Sequence, residues 1–259
     1  MSSWRHQILL LAAVAIVGVV FLFPAIPQHE SYHNFADQRP FLGIQNFLNV
    51  LSNVFFLIIG WMGVRFVRAS TADEGSPFSD PVDRWAYLVF FCAVAATAVG
   101  SAYYHLRPDD DRLVWDRLPM AIGFMALLAA IICERTTPKN GLPYLVTLPI
   151  WGIVSVAYWH FTQQRGEGDL RPYIIVQFGS LVAILLMMAL FPPRFTRGTD
   201  LLISLTIYAG AKTFEETDKL IFRLGGVVSG HTLKHLAAAI STYWILRMLR
   251  LRRSATNAA

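Results

Sequence analysis

Eight apolar stretches, each close to the roughly 20 residues needed to cross a bilayer, constrain this chain more than any other feature. They run near Gln7 to Phe23, Leu42 to Val67, Trp85 to His105, Asp116 to Glu134, Leu142 to Phe161, Pro172 to Phe191, Asp200 to Thr217 and Gly230 to Leu249. The seventh is the weakest, because Lys212, Glu215 and Glu216 interrupt its end. Lipid offers no partner to a backbone N–H or C=O, so each stretch must close its hydrogen bonds as a helix. The expected fold is all-α, one polytopic transmembrane helical bundle. A hydrophobic share of 55% over 259 residues excludes an ordinary soluble domain.

The connections are short and contain neither a repeat nor a separate soluble domain. The longest, Arg68 to Arg84, is rich in Ser, Asp, Gly and Pro and reads as a flexible loop. The net charge of +5 does not point to nucleic acid, because the basic residues lie between apolar spans and in a tail cluster of Arg247, Arg250, Arg252 and Arg253. That is the cytoplasmic anchor pattern of membrane proteins. Cys92 and Cys133 fall inside spans without a ligand motif and read as small apolar fillers. Arg5 and His6 before the first apolar run, with Pro24 and Pro27 after it, resemble a signal peptide. The run is long for one and no A-x-A site follows, so a retained helix is expected.

With the amino terminus in the cytoplasm, eight crossings return the tail to the same side. The inner face then holds Arg5, Arg65, Arg68, Arg84, Arg135, Lys139, Arg194, Arg197 and the tail arginines, as the positive-inside rule requires. The end of the third span and the starts of the fourth and eighth emerge on the outer face. His105, Asp116, His231 and His235 therefore sit at one level.

His231 and His235 stand one helical turn apart in SGHTLKH and project from one face. His105 closes GSAYYH, and Ser101 precedes it by one turn. Pro108 ends that helix and lets the next return antiparallel, bringing Asp116 back to the depth of His105. Ionisable groups at membrane depth are costly and usually functional, which favours a joint metal site over three separate packing histidines. Three imidazoles suit zinc better than magnesium or calcium, and three protein ligands leave a fourth position for water, as in hydrolytic sites.

The remaining polar residues carry plainer readings. His160 is a packing or hydrogen-bonding residue. His29 and His33 follow two prolines in a loop and read as solvated, the main competitors as ligands. Asn46, Asn49 and Asn53 recur at helical spacing as a polar stripe facing the bundle interior, where interhelical hydrogen bonding is at least as good an account as substrate contact. Asp109, Asp110 and Asp111 read as a solvated turn, and Lys234 as a snorkelling residue or a headgroup contact. Asp116 by itself also fits a helix cap or a partner of Arg112 or Arg117, and Ser101 by itself fits a small interhelical contact. Glu216 is the reserve general base.

Taken together, GSAYYH, the Asp116 of WDRLP after the following loop, GHTLKH in the last span and NFLNVLSN near the start of the second resemble the CREST superfamily of seven-helix membrane hydrolases, which includes the alkaline ceramidases and the adiponectin-type receptors. The resemblance runs from about Gln45 to the end of the last helix. It implies a seven-helix core plus one additional N-terminal helix: residues 1–41 as that helix and an outer loop, 42–250 as the hydrolase core, and 251–259 as a basic cytoplasmic tail. It also implies a zinc amidase site with His105, His231 and His235 as ligands and Ser101 and Asp116 as catalytic partners. In such a site a metal-bound water attacks the amide of an N-acyl lipid such as ceramide, Asp116 moves protons and Ser101 donates to the developing oxyanion. Where eukaryotic alkaline ceramidases carry an acidic calcium-binding stretch, this chain reads ADQRPFLGIQN, with Asp37 the single carboxylate and Asn46 near the glutamate position, which leaves calcium dependence unsupported. The expected location is the cell's inner membrane, multi-pass, with the site on the non-cytoplasmic side. The alternative is a receptor or signalling protein of the same superfamily with a structural or vestigial metal. A proton-relaying transporter is a third reading, but no discontinuous helix pair supports it.

Overall fold

The computed structural model describes residues 3–72, 76–78, 80–136 and 141–255. Lys139, parts of the longest loop and the last four tail residues lie outside the described residues. Within them the protein is helical, without a strand. The first span is α1 (Ser3–Leu22), and the second is split into α2 (Phe47–Leu51) and α3 (Val54–Ala69). There follow α4 (Pro81–Leu106), α5 (Asp110–Arg135) and α6 (Gly141–Gln164). The sixth span is built from α7 (Arg171–Ile174), a π-helical turn at Ile175–Gly179 and α8 (Ser180–Leu190). A long α9 (Gly198–Glu216), a short α10 (Asp218–Gly225) and α11 (Gly230–Leu251) complete the chain.

Six of these segments are long and apolar enough to cross a membrane, so this is a multi-pass membrane protein. α9 and α11, at 19 and 22 residues, also reach spanning length, although their charged residues lower their hydropathy. Lys212, Glu215 and Glu216 do not end α9 early. The charges of Lys212 and Glu215 meet each other inside the protein, and Glu216 is exposed at the mouth of a cavity described below.

Two boundaries differ from the expectation. Leu42 and Asn46 adopt left-handed backbone, with φ of 51° and 49°, so the second span begins at Phe47 and Asn46 lies outside the helix. The polar stripe of three asparagines is therefore not one helical face: Asn46 precedes α2, Asn49 lies within it and Asn53 sits in the break before α3. At the fourth span the helix starts at Asp110, six residues earlier than the apolar pattern suggests. Asp109 is its N-cap and accepts from the Arg112 backbone at 2.7 Å. Asp116 therefore lies two turns inside α5 and is no cap.

The central helix is α5, which packs against α4, α6 and α8, while α11 packs against α9 and α3. Its small residues Ala126, Ala129 and Ala130 are fully shielded and let the neighbours approach. At Gly100 a Cβ would collide with the Trp115 carbonyl, so only glycine permits the close α4–α5 crossing one residue from Ser101 and Asp116. α1 stands at the periphery against α8 and the π-helical turn, with Leu10, Leu11, Val14 and Val17 turned outward, as a lipid-facing helix requires. Between α1 and α2 the chain crosses the histidine-bearing end of the bundle as a strap, irregular apart from one 3-10 turn at Glu30–His33.

Candidate metal centre and lipid cavity

His105, in the last turn of α4, and His231 and His235, in the first turns of α11, are all but completely buried. One ring nitrogen of each lies within 4.8 Å of the others. His105 Nε2 and His231 Nε2 are 3.3 Å apart, and the three ring centroids are 4.8 to 4.9 Å from one another. Tetrahedral zinc with Zn–N bonds of about 2.0–2.1 Å sets its ligand nitrogens roughly 3.3–3.4 Å apart, so this pair already has the right spacing. His105 Nε2 and His231 Nε2 face each other, and the bond of His235 Nδ1 to Ser52 leaves its Nε2 bare, so ring lone pairs converge on one buried point with too few N–H donors to meet them. A cation at their centre resolves that conflict, and the donor set fits zinc.

Local structure explains how the rings are aimed. Ser229 caps α11, accepting from the Thr232 backbone at 3.2 Å. The Asp218 carboxylate then accepts from the His231 backbone at 2.7 Å and from Ala36 of the strap at 2.8 Å, tying α10, α11 and the strap together. At Gly230 a Cβ would overlap the Phe214 carbonyl and the Asp218 backbone. Glycine there lets the start of α11 tuck under the end of α9. The Ser52 hydroxyl donates to the Asn49 carbonyl at 3.0 Å and so accepts from His235 Nδ1 at 2.8 Å. That fixes the His235 tautomer and leaves Nε2 bare, so it could ligate a metal with Ser52 as the outer partner that orients the ring. Asn46 donates to the His105 carbonyl at 2.9 Å, and Thr232 donates to Asn49 Oδ1 at 2.8 Å. The asparagines thus hold the two helices that carry the histidines. Phe35 of the strap lies on the rings of His105 and His231, centroids 4.7 and 4.4 Å away, and shields them from water.

A cavity of about 560 Å³ opens beside the triad, and His235, Ser101 and Asp116 share its wall. Phe90, Val94, Met120, Phe124, Leu127 and Ile245 make its body apolar, and its rim carries Tyr32, Lys212, Glu215, Glu216 and Lys234. Across the α4–α5 crossing the Ser101 hydroxyl faces the Asp116 carboxylate. The structure therefore brings all five expected residues to one end of the bundle.

Several neighbours behave differently from their sequence reading. Lys234 does not snorkel: its ammonium pairs with Glu215 at 2.8 Å, and Glu215 also receives Lys212 and the Tyr32 hydroxyl. Glu216 is exposed at the rim. His33 is not solvated, because it bridges Tyr104 at 2.9 Å and Asp110 at 3.0 Å and pins the strap to both helices. It stays outside the metal cluster, as does exposed His29. Of the three aspartates after α4, one caps, one pairs with His33 and only Asp111 is solvated. His160 bonds Gln164 at 3.0 Å, as a hydrogen-bonding residue should. Arg117 is buried against Trp159 and Tyr173, 4.3 and 5.0 Å from their centroids, and donates to Gln28 rather than pairing with Asp116. Sequence reasoning missed Ser52 and Phe35, and it placed Asp218 near this surface without its anchoring role. Ser52 alone left a signal, three residues after Asn49 in NVLSN.

A comparison with curated proteins gave no match. A family model described as Ceramidase matches residues 43–198, more than half of the chain. The matched stretch contains Ser101, His105 and Asp116 and stops before His231 and His235, which the fold itself carries back to them. From this match and this geometry, the chain belongs to the ceramidase family, whose activity is amide hydrolysis of a membrane lipid.

Proposed function

We propose that the protein is a zinc-dependent membrane amidase that cleaves the amide bond of an N-acyl lipid such as ceramide. The observation that carries this reading is the shared wall: a buried histidine triad beside Ser101 and Asp116 at the polar end of an apolar cavity. His105, His231 and His235 would hold the zinc, which when bound supplies a Lewis acid and lowers the pKa of a water to about 7.

The chain's own residues do the rest. The apolar body takes the acyl chain and sets the amide beside His235. Asp116, held away from water on α5, accepts a proton from the attacking water and returns it to the leaving amine. Ser101, one turn before His105, turns its hydroxyl from Asp116 to the carbonyl oxygen as negative charge develops there. Phe35 and the strap keep bulk water off the metal ligands.

We assign both termini to the cytoplasm and the triad to the outer face of the cell's inner membrane, because the histidine end carries fewer arginines than the opposite one. Residues 1–41 form the added helix and strap, 42–250 the hydrolase core and 251–259 the tail. The test is a lipid inventory of membranes incubated with purified protein or with its His231→Ala variant. One N-acyl species consumed only by the former, with matching free fatty acid, supports the reading. Unchanged inventories across ceramides and other acyl amides would favour the receptor alternative.

A further inference from the structure

At the end of the bundle away from the histidines, the tail folds back on the connection between α8 and α9. Backbone bonds join Thr196 to Arg253 and Ala255 to Arg194, both at 2.9 Å, and the Arg253 backbone donates to Thr196 Oγ1 at 3.0 Å. This brings Arg252 into the protein, where its guanidinium pairs with Glu134, donates to the Pro77 carbonyl at 2.7 Å and stacks on Phe195 at 4.1 Å. Arg252 is only 5% exposed, yet its Nη2 has no hydrogen-bond partner among the described residues.

A cleft lies beside it, lined by Arg135, Arg194, Arg252, Glu134 and Gly198. Nη1 of Arg194 is likewise buried and without a partner among the described residues. Nη2 of Arg135 lies 3.7 Å from the position of a Cβ on Gly198, the first residue of α9. That 19-residue helix has no side-chain cap, because the side chain of its N-cap residue Arg197 carries only donors and the Asp200 carboxylate is taken by the Arg197 guanidinium at 2.7 Å. The N–H groups of Gly198 and Thr199 are thus left for a ligand at the positive end of the helix dipole, while that of Asp200 donates to the Arg197 carbonyl at 3.0 Å. Three guanidiniums line the cleft against the one carboxylate of Glu134, and even with buried Asp83 acting on Arg252, positive charge is in excess.

We propose that this cleft is a phosphate-binding site, filled by the phosphodiester of an anionic phospholipid or by free phosphate. The free space is about 20 Å³, room for about one water-sized atom. One phosphoryl oxygen enters between Arg194 and Arg252, and the others stay at the surface near Arg135 and the start of α9. Phosphate suits the site because its several oxygens accept from separate guanidiniums and from helix N–H groups at once. The surplus charge selects anionic over zwitterionic lipid, as basic pockets between membrane helices do. The inference does not depend on the amidase reading.

The test uses purified full-length protein in two arms. Native mass spectrometry compares retention of phosphatidylglycerol and phosphatidylcholine, and thermal unfolding compares millimolar inorganic phosphate with chloride at matched ionic strength. Preferential retention of phosphatidylglycerol, weakened about fivefold by Arg194→Gln and recovered in part by Arg194→Lys, assigns a lipid headgroup. A phosphate-specific rise in the unfolding midpoint, lost in Arg194→Gln, assigns free phosphate. The Arg194 side chain makes no hydrogen bond that glutamine would remove, so the variant should fold. Equal retention of both lipids with no phosphate shift overturns the proposal, as does binding unaffected by Arg194→Gln.

Discussion

The two ends of the bundle both bury ionisable side chains, each of which costs about 2.5–3.5 kcal/mol or more at membrane depth. At the arginine end the cost of burying Arg252 is largely offset within the protein, because it meets Glu134 and Tyr87, Phe78 and Phe195 surround the guanidinium, while the excess charge of Arg135 and Arg194 stays beside the surface cleft. At the histidine end it is not. Three imidazoles converge on one point with no carboxylate pairing with them, beside a cavity that also exposes Ser101 and Asp116. A charge cluster completed by its own opposite charge is a structural clamp, and one completed only by an added cation and a substrate is a working site. The rim repeats the first pattern at small scale, since Glu215 is taken by Lys212, Lys234 and Tyr32.

The sharpest way to break this contrast is to remove a histidine. His105→Ala, His231→Ala and His235→Ala should each lose bound zinc and all measurable turnover, read by elemental analysis and product release. Full zinc content in all three variants would dissolve the site. Next in size is Asp116→Asn, which keeps the shape of the side chain and removes its proton chemistry. Turnover should fall about a hundredfold or more with zinc retained, whereas near-normal hydrolysis would move the base to Glu216. Ser52→Ala leaves His235 Nδ1 without its acceptor. Zinc affinity, measured by competition with a chelator, should weaken about tenfold, and an unchanged value would make Ser52 a packing residue.

At the arginine end the signature reverses. Glu134→Gln should cost on the order of 3 kcal/mol of stability, because Arg252 is left buried and uncompensated, while turnover per folded molecule is kept. A loss of turnover without a loss of stability would erase the distinction between clamp and site. The smallest effect concerns the strap. Arg39 grips both oxygens of Asp37 at 2.8 Å and holds that carboxyl below its ordinary pKa. The group binds fewer protons folded than unfolded, so its contribution is present above the ordinary carboxylate pKa and fades as pH falls through the lowered one. Asp37→Asn should flatten that part of the acid dependence of the unfolding midpoint, and an unaltered profile would show that the strap is held without it.

Much of this was legible in the chain. Apolar length gave the helices, because lipid leaves a long apolar segment no other way to satisfy its backbone. The i, i+4 spacing placed His231 and His235 on one face, and span parity put His105 and Asp116 at their level. Local readings failed where a side chain's partner is distant in sequence. Lys234 looked like a headgroup contact until α9 supplied Glu215, nineteen residues away. His33 looked solvated until Tyr104 and Asp110 came within reach of it, and Phe35 gave no signal because a loop phenylalanine has no periodicity to interpret.

By itself, then, the sequence determined the class of fold and the identity of the converging residues, since both follow from interactions within a helix or between a helix and its solvent. Tertiary structure alone decided which charges are paired off and which remain for a ligand. It also decided the tautomer that Ser52 imposes on His235 and the lid that Phe35 lays over the site. Those outcomes depend on helix crossings set by close approaches such as Gly100 against Trp115 and Gly230 against Phe214, and a crossing distance is a property of two surfaces in contact, which no single stretch of sequence contains.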